Sequence, residues 1–536
     1  MKIYEYIVVG SGCTGAMAAQ TLVEAGADTL MLDVGIVKQS GYKIPQNKGF
    51  LDIRKTEKDQ YKYLIGEDFE GVSWGKVGKG EQITPPRKHI FAETNTLIPV
   101  NSTSFFPAES LGYGGLGIGW GVGCWEFSRS EANQAGLDHK KMQSAYKIVS
   151  DRIGISATRD SAEKYSLGSL DNFQKSPEMD INHTKILKKY TTNRSKMNEL
   201  GFFMGRAPLA VITQSTNNRK SYEYKDLDFY SDDDMSAYRP WMTVDNLKKY
   251  PNFTYTGGVL VTKFSEKKEY TLVECINLLD GKIKLFRCKK LLLASGVLGS
   301  ARIALRSFNV PGAKTSLLCN PYSYIPCLQP SMLGKGAEEK KLGFAQLSLF
   351  LDKSSDMSDI SMASLYSYQS LMLFRLARQV PFNFSDSRRL FQYLSPAIVI
   401  MGIHQPDRPS AGKYLELVED KNSVTGDSLK ATYISTSDEI SERKKRERKY
   451  IKIMRKMHVY ALKNIDPGMG ASIHYAGTLP FSDEETLLTT RKDGLLHGSK
   501  SVYIADGSGF TFLPAKGLTF SLMANAHNVA ENALNS

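Results

Sequence analysis

The 536-residue sequence predicts an α/β protein with two units: a discontinuous unit built on a parallel sheet, and an antiparallel sheet covered by helices. Two observations carry this prediction. Residues 4–25 contain an apolar strand, a glycine turn and a helical pattern, which together are typical of a βα unit. Residues 310–470 contain separated strand-like runs, such as 344–351 and 397–403, which suit an antiparallel sheet.

The turn after the first strand has the spacing G-x-G-x-x-G. Its glycines are Gly10, Gly12 and Gly15, and Asp33 ends the next apolar run. This arrangement of strand, glycine turn, helix and acidic residue predicts a dinucleotide bound through its pyrophosphate and ribose. We expect Gly10 to allow the tight turn, Gly12 to let the backbone approach phosphate, and Gly15 to let the helix pack on the strand. The alternative is an ordinary βα turn that binds no ligand.

Motifs rather than composition divide the chain. Two later segments suggest that the chain comes back to the predicted nucleotide site. They are a glycine-dense stretch at 111–125 and an apolar strand that ends in a turn at Gly296. The first unit is therefore discontinuous, with residues 1–40, 100–135, 250–310 and 471–536. The substrate unit takes residues 41–99, 136–249 and 311–470.

The composition is that of a globular protein, with 41% hydrophobic and 23% charged residues. The chain enters its first strand near residue 4, which leaves no room for a signal peptide, so we expect a cytoplasmic protein. The six cysteines are too scattered for a disulfide framework. Cys319 and Cys327 lack the spacing of a metal site, and we expect no metal.

The formal net charge is +13, and its densest source is the run 443–449. Apolar residues follow that run, which favours a long helix with a solvated basic face. No recognised nucleic-acid module is present. The basic surplus suits an anionic substrate or a membrane surface. The segment 371–382 is an amphipathic candidate for peripheral membrane contact, and a core helix or cavity lid is the alternative.

Several motifs together resemble the glucose-methanol-choline family of FAD-dependent alcohol oxidoreductases. The glycine pattern and Asp33 match its nucleotide fingerprint, residues 114–121 resemble the segment beside its isoalloxazine, and residues 291–300 partly resemble its second signature. The C-terminal part matches best, because residues 474–478 read His-x-x-Gly-Thr and residues 502–508 resemble the strand whose aspartate contacts FAD.

The resemblance implies a Rossmann-like unit that binds FAD. Gly119 stands where members with covalent FAD have histidine, so the implied FAD is non-covalent. Trp120 stands where many members have asparagine, as in the pyranose-oxidising branch, which points to a carbohydrate hydroxyl as substrate. The residues implied to contact FAD are Gly10, Gly12, Gly15, Asp33, Gly115, Trp120, Val261, Gly296, Asp506, Gly507, Leu518 and Thr519.

His474 is the predicted catalytic base. Hydride transfer from an alcohol carbon to the flavin needs the hydroxyl proton removed, and an imidazole suits that task. In the family a second histidine or asparagine assists, but Gly517 occupies that position here. The candidates for the missing donor are the neighbouring Lys516 and a water molecule beside the glycine.

Two other functions stay open at this point. One is lyase chemistry at His474, with FAD as a structural group. The other is a flavin-bound scaffold without turnover, which the glycine at position 517 favours. For the oxidoreductase, we expect the substrate to be a small molecule or a sugar derivative, anionic or lipid-linked. The sequence does not identify the electron acceptor. We expect His497 to brace a turn, His527 to lie at the surface of the last helix, and the remaining histidines to be structural: His89, His139, His183, His404 and His458.

Overall fold

The protein has a mixed α/β fold with parallel and antiparallel sheets, seen in a computed structural model. The structure describes residues 2–37, 52–53, 56–64, 85–216, 218–224, 234–336, 342–354, 356–367 and 381–536. Most of the segment 371–382 lies outside these ranges. Of the described helices, none is both long and apolar enough to cross a membrane.

Strands are numbered in chain order. They are β1 (Ile3–Val9), β2 (Thr29–Leu32), β3 (Val100–Asn101), β4 (Ser156–Ala157), β5 (Gln174–Lys175), β6 (Phe202–Arg206), β7 (Phe253–Thr256), β8 (Val259–Glu266), β9 (Thr271–Asn277), β10 (Ile283–Leu293), β11 (Lys314–Ser316), β12 (Leu318–Cys319), β13 (Tyr322–Leu328), β14 (Leu347–Asp352), β15 (Ile360–Ser367), β16 (Ile398–His404), β17 (Lys413–Glu419), β18 (Asp427–Tyr433), β19 (Tyr460–Ala461), β20 (Tyr475–Ala476) and β21 (Val502–Ile504).

The α-helices are numbered in the same way. They are α1 (Cys13–Glu24), α2 (Gln60–Leu64), α3 (Thr94–Leu97), α4 (Arg129–Gln134), α5 (His139–Ile153), α6 (Glu163–Ser166), α7 (Ile181–Thr192), α8 (Arg194–Glu199), α9 (Pro240–Leu247), α10 (Val297–Phe308), α11 (Phe384–Leu394), α12 (Ser437–Lys456) and α13 (Thr519–Leu534). Short 3₁₀ turns include Gly115–Ile118 and Gly507–Gly509.

The first sheet has the order β7-β2-β1-β10-β9-β8, with β21 also paired to β10. The pairs β7–β2, β2–β1, β1–β10 and β10–β21 are parallel, whereas β10–β9 and β9–β8 are antiparallel. Ile7 and Val8 are both fully buried, because this part of the sheet is covered on both faces and its strands are apolar throughout. The prediction that the strand ending at Leu293 returns beside the first strand is confirmed.

The second large sheet is antiparallel, with the order β19-β13-β16-β15-β14-β6. Its strand β14 shows why the faces differ. Leu349 packs with Ile453 of α12 and Ile186 of α7, whereas Phe350 packs in the core shared with the first sheet. The predicted antiparallel sheet covered by helices is confirmed, and the face opposite those helices packs toward the parallel sheet.

Helix α12 contains the basic run and confirms the predicted long helix. Lys444, Lys445 and Arg448 are exposed, as expected of a solvated face. Arg446 differs, because it is buried and its guanidinium makes two bonds of 2.6 and 2.8 Å to Asp359. The basic face is therefore partly neutralised by ion pairs. All six cysteines are buried free thiols.

Candidate functional site

One cavity of about 370 Å³ lies at the carboxyl ends of β1 and β10. Its wall joins the glycine turn, the stretch around residues 115–121, the start of β8, the start of α10, and the residues just before β20 and α13. Every residue expected to contact a cofactor lines this cavity except Gly15: Gly10, Gly12, Asp33, Gly115, Trp120, Val261, Gly296, Asp506, Gly507, Leu518 and Thr519. His474 lines it as well.

The glycine turn is built by close backbone contacts. Gly10 has φ +98°, and a Cβ on it would lie 2.7 Å from the carbonyl oxygen of Ala294. A Cβ on Gly15 would lie 1.9 Å from the carbonyl oxygen of Gly10. Gly15 is not part of the cavity wall. The lack of a side chain at this position lets α1 pack directly against the turn.

Three helices begin at the cavity wall. The N-cap residues of α1, α10 and α13 are Gly12, Gly296 and Leu518. Within the described ranges, no side chain caps these three N-termini, and their first turns contain no acidic residue. Helix N-termini carry free N–H groups and partial positive charge, so the cavity is suited to an anionic ligand.

Asp33 stands at one end of the cavity and is held by two hydroxyl groups. Ser11 Oγ donates a short hydrogen bond to Asp33, and the Tyr255 hydroxyl donates to Asp33 Oδ2 at 3.1 Å. The same Ser11 oxygen accepts from the Gly114 N–H at 2.9 Å, which ties the glycine turn to the glycine-dense stretch. Burial raises the pKa of Asp33 to about 6, while both hydroxyls oppose that shift.

Asp506 is a second carboxylate in the wall and is almost fully buried. It accepts hydrogen bonds from Ser300 Oγ at 2.6 Å, from Ser508 Oγ at 2.6 Å and from the Ser508 N–H at 3.0 Å. Burial raises the pKa of Asp506, and these donors oppose the rise. The network joins the beginning of α10 to the turn after β21.

The ring of His474 is oriented by Asn320. The side-chain amide of Asn320 donates to the carbonyl oxygens of Gln405, at 2.8 Å, and Pro514, at 3.0 Å. Its Oδ1 therefore faces His474 Nδ1, 3.1 Å away, and can only accept. Nδ1 must carry the proton, which leaves Nε2 as the free acceptor. Burial lowers the pKa of His474 to about 4, so the ring is neutral at pH 7.

The two candidates for the second catalytic group are not supported. Lys516 is fully buried outside the cavity wall, where its Nζ lies 2.7 Å from Glu131 Oε2 and donates to the Glu126 carbonyl at 2.8 Å. A Cβ on Gly517 would lie 2.4 Å from the ring of Trp125, so an indole occupies the space in which a water was expected. Trp125 is held there by an Nε1–H bond of 2.9 Å to Ser348.

Lys516 is instead expected to stabilise the fold. The substitution Lys516→Met would leave the carboxylate of Glu131 buried without its cation, and we expect the free energy of unfolding to fall by about 3–5 kcal/mol. Adding Glu131→Gln to Lys516→Met should recover most of that loss. Chemical denaturation of both variants measures it, and a single variant as stable as the wild type would contradict the assigned ion pair.

The structure contradicts the expectation for His527 and places His404 beside His474. His404, expected to be structural, ends β16 with its ring stacked on that of His474, at a centroid distance of 4.8 Å and an interplanar angle of 24°. His527, expected at a helix surface, is buried, and its Nδ1 lies 2.8 Å from Thr21 Oγ1 of α1. Nothing around either residue in the sequence indicates these contacts. Asn320 was also missed, because its position before β13 has no motif.

Comparisons with models of known protein families and with curated proteins give no match. The resemblance to the glucose-methanol-choline family therefore rests on the motifs in the sequence. What it implies about cofactor and chemistry is treated as a proposal below.

Proposed function

We propose that the protein binds FAD non-covalently in a Rossmann-like unit and oxidises an alcohol group. The observation that carries the proposal is one cavity that combines three uncapped helix N-termini and Asp33 with a neutral, oriented His474. A dinucleotide needs positive potential for its pyrophosphate and an acceptor for its ribose hydroxyls, and the cavity offers both.

The residues present fit FAD. Asp33 can accept hydrogen bonds from the adenosine ribose, and the N–H groups at the start of α1 can hold the pyrophosphate. Val261 offers an apolar surface for adenine, and it is buried in the cavity wall. Gly296 has φ +81° and no atom within 4 Å of a Cβ placed on it, so the backbone here is open to close approach by a ligand.

When bound, FAD would supply the two-electron acceptor for the hydride. The protein's own contribution is to hold the substrate hydroxyl and take its proton. His474 Nε2 is available for this, because Asn320 holds the proton on Nδ1 and the ring is neutral at pH 7. Removing the proton makes the oxygen an alkoxide, which is a far better hydride donor than an alcohol.

The substrate class we propose is a carbohydrate hydroxyl, on the strength of Trp120 and its likeness to the pyranose-oxidising branch. Trp120 lies in the cavity wall, with its ring edge-on to that of Tyr238 at 6.5 Å. The formal charge of +13 suits an anionic or lipid-linked sugar. The electron acceptor that reoxidises the flavin is left open.

A second candidate function is a flavin-bound scaffold without turnover. It is favoured by one observation: the ring of Trp125 fills the space beside Gly517, so the position offers no hydrogen-bonding group. Both candidates share the cofactor and differ in whether the bound flavin is ever reduced by substrate.

The test is to purify the protein, record its visible spectrum, and release the flavin by denaturation to show that it is not covalently attached. Anaerobic mixing with a panel of neutral and acidic sugars and simple secondary alcohols then separates the functions. Bleaching of the flavin band supports oxidation, cleavage of a substrate without bleaching supports a lyase, and neither result supports the scaffold. A protein that neither contains nor takes up FAD would refute the proposal.

The affinity for FAD should depend on pH through Asp33. Its pKa is raised to about 6 in the cofactor-free protein, and the ribose hydroxyls donate to the ionised carboxylate. Below pH 6 the proton competes with the ribose, so we expect FAD affinity to fall about tenfold per pH unit. Fluorescence titration of the apoprotein between pH 5 and 8 measures this. Asp33→Asn should bind FAD weakly with little pH dependence, and parallel profiles for the two proteins would contradict the role.

A further inference from the structure

The residue just before His474 has a backbone conformation that its own side chain disfavours. Ile473 has φ +59°, in the left-handed region, and it lines the cavity beside His474. A β-branched side chain suits this region poorly because its two branches crowd the neighbouring backbone, whereas glycine adopts the same angles freely. The chain therefore has a strained residue at a position that glycine would occupy without strain.

Strain of this kind lies at one place among the described residues. Nine of them other than glycine have positive φ, and of these nine only Val122 and Ile473 are β-branched. Val122 is fully buried and follows Gly121, which lines the cavity directly after Trp120. Both outliers therefore adjoin the part of the cavity wall that contains Trp120 and His474. Strained residues persist where the surrounding structure imposes a geometry, and they are concentrated at functional sites.

Hydrogen bonds on both sides of Ile473 impose its conformation. The carbonyl oxygen of Gly470 accepts from the Ile473 N–H at 3.1 Å and from the Tyr475 hydroxyl at 2.6 Å. The Tyr475 hydroxyl in turn accepts from the Ala108 N–H at 2.9 Å. Tyr475 also begins β20, which pairs with β12. With the turn closed and the strand paired, the backbone angles of Ile473 set the direction in which the side chain of His474 leaves the chain.

We propose that Ile473 is a positioning residue, whose strained backbone holds the ring of His474 in one orientation at the cavity wall. This inference rests on the proposed function, in which His474 is the base. Glycine at position 473 would permit the turn but would also let the backbone adopt other conformations. The branched side chain removes that freedom and makes the protein less stable. Asn320 then holds the ring at Nδ1, while Ile473 holds it from the backbone.

Precise orientation matters because a base acts only within hydrogen-bond reach of the proton that it removes. A displacement of about 1 Å can slow a reaction about 100-fold, even when the change lies outside the reacting groups. The strain at Ile473 is therefore expected to affect the rate of flavin reduction rather than the binding of FAD.

The test compares Ile473→Gly with Ile473→Ala, because both remove the branched side chain and only glycine relieves the left-handed strain. We expect Ile473→Gly to unfold about 1–2 °C above Ile473→Ala. In stopped-flow reduction by the most reactive alcohol of the panel we expect the reverse order, with the limiting rate lowered about tenfold in Ile473→Gly and less in Ile473→Ala. The two variants should share any change in substrate Kd. A purely structural role would give the same order for stability and for rate.

His458 provides the matched control. It is exposed, has φ +61° and follows α12 outside the cavity wall. His458→Gly should again be more stable than His458→Ala, and both should reduce the flavin at the wild-type rate. If Ile473→Gly does not fold, Ile473→Asn takes its place with the same expected orders, because asparagine adopts left-handed angles more readily than most residues with a Cβ.

A second measurement needs no substrate. In the purified full-length chain with histidine labelled with ¹³C at Cε1, the NMR signal of the His474 ring is the one lost in His474→Phe. We expect one narrow signal in the wild type and in His458→Gly. The signal should be broadened or split in Ile473→Gly, because the ring adopts more than one orientation.

Two results would overturn the inference. One is an Ile473→Gly protein that reduces its flavin at least as fast as Ile473→Ala, and the other is an unchanged His474 ring signal in Ile473→Gly. Neither result would refute the proposed function, which fails instead if FAD does not bind or is never reduced.

Discussion

Replacing His474 with alanine is expected to leave FAD bound and to slow reduction of the flavin by substrate about 10²–10⁴-fold. The side chain provides the one free acceptor nitrogen identified in the described cavity wall that is neutral at pH 7, and alanine removes it. Rapid mixing under anaerobic conditions measures the reduction rate, while the visible spectrum reports the flavin content.

His139→Ala is the matched control, because His139 begins α5 outside the cavity wall. It should reduce its flavin at the wild-type rate. Lowering the pH tests the same assignment in the unmodified protein. Because the pKa of His474 is about 4, reduction should persist down to about pH 5 and decline as the ring is protonated below that. Unchanged reduction in His474→Ala would exclude His474 as the base.

Gly15→Ala is expected to cause the largest loss of stability among single changes in the glycine turn. The new Cβ would lie 1.9 Å from the carbonyl oxygen of Gly10, and this atom belongs to the backbone and cannot rotate away. Helix α1 would have to move off β1, which we expect to cost about 3 kcal/mol, the upper end of the usual cost of overpacking. FAD binding should be lost as well, because the helix N-terminus moves with it.

Gly336→Ala controls for the change from glycine to alanine itself. A Cβ there meets no atom within 4 Å, so its effect should stay within about 0.5 kcal/mol of zero. Thermal unfolding with and without added FAD measures both variants. A Gly15→Ala protein that binds FAD with wild-type affinity would show that the turn is not the phosphate-binding element.

The parts of the fold that sequence reasoning predicted are those with local periodicity. The opening βα unit, the return of the strand ending at Leu293, the antiparallel sheet and helix α12 all follow from patterns within 10–20 residues. The glycines and Asp33 that line the cavity were singled out in the same way, because a dinucleotide-binding turn needs its glycines at set distances along the chain. Local patterns of this kind are determined by neighbouring residues, so one sequence is enough to detect them.

The errors concern contacts between distant segments. Lys516 is taken out of the site by an ion pair with Glu131, and Gly517 is covered by Trp125. The ring of His404, at the end of β16, stacks on that of His474, which belongs to a separate segment of the chain. No spacing rule in one sequence links these pairs, since each depends on how two separate segments pack in three dimensions.

The hydrogen bond between Thr21 and His527 joins residues 506 positions apart. It belongs to a broad contact in which α13 packs against α1, and β21 pairs beside β10 in the same sheet. At about 5–20 residues per second, the ribosome completes the second partner roughly 25–100 s after the first. Throughout that interval the part of α1 that packs against α13 lacks its native partner, so the cavity wall to which the starts of both helices contribute is completed only near the end of synthesis.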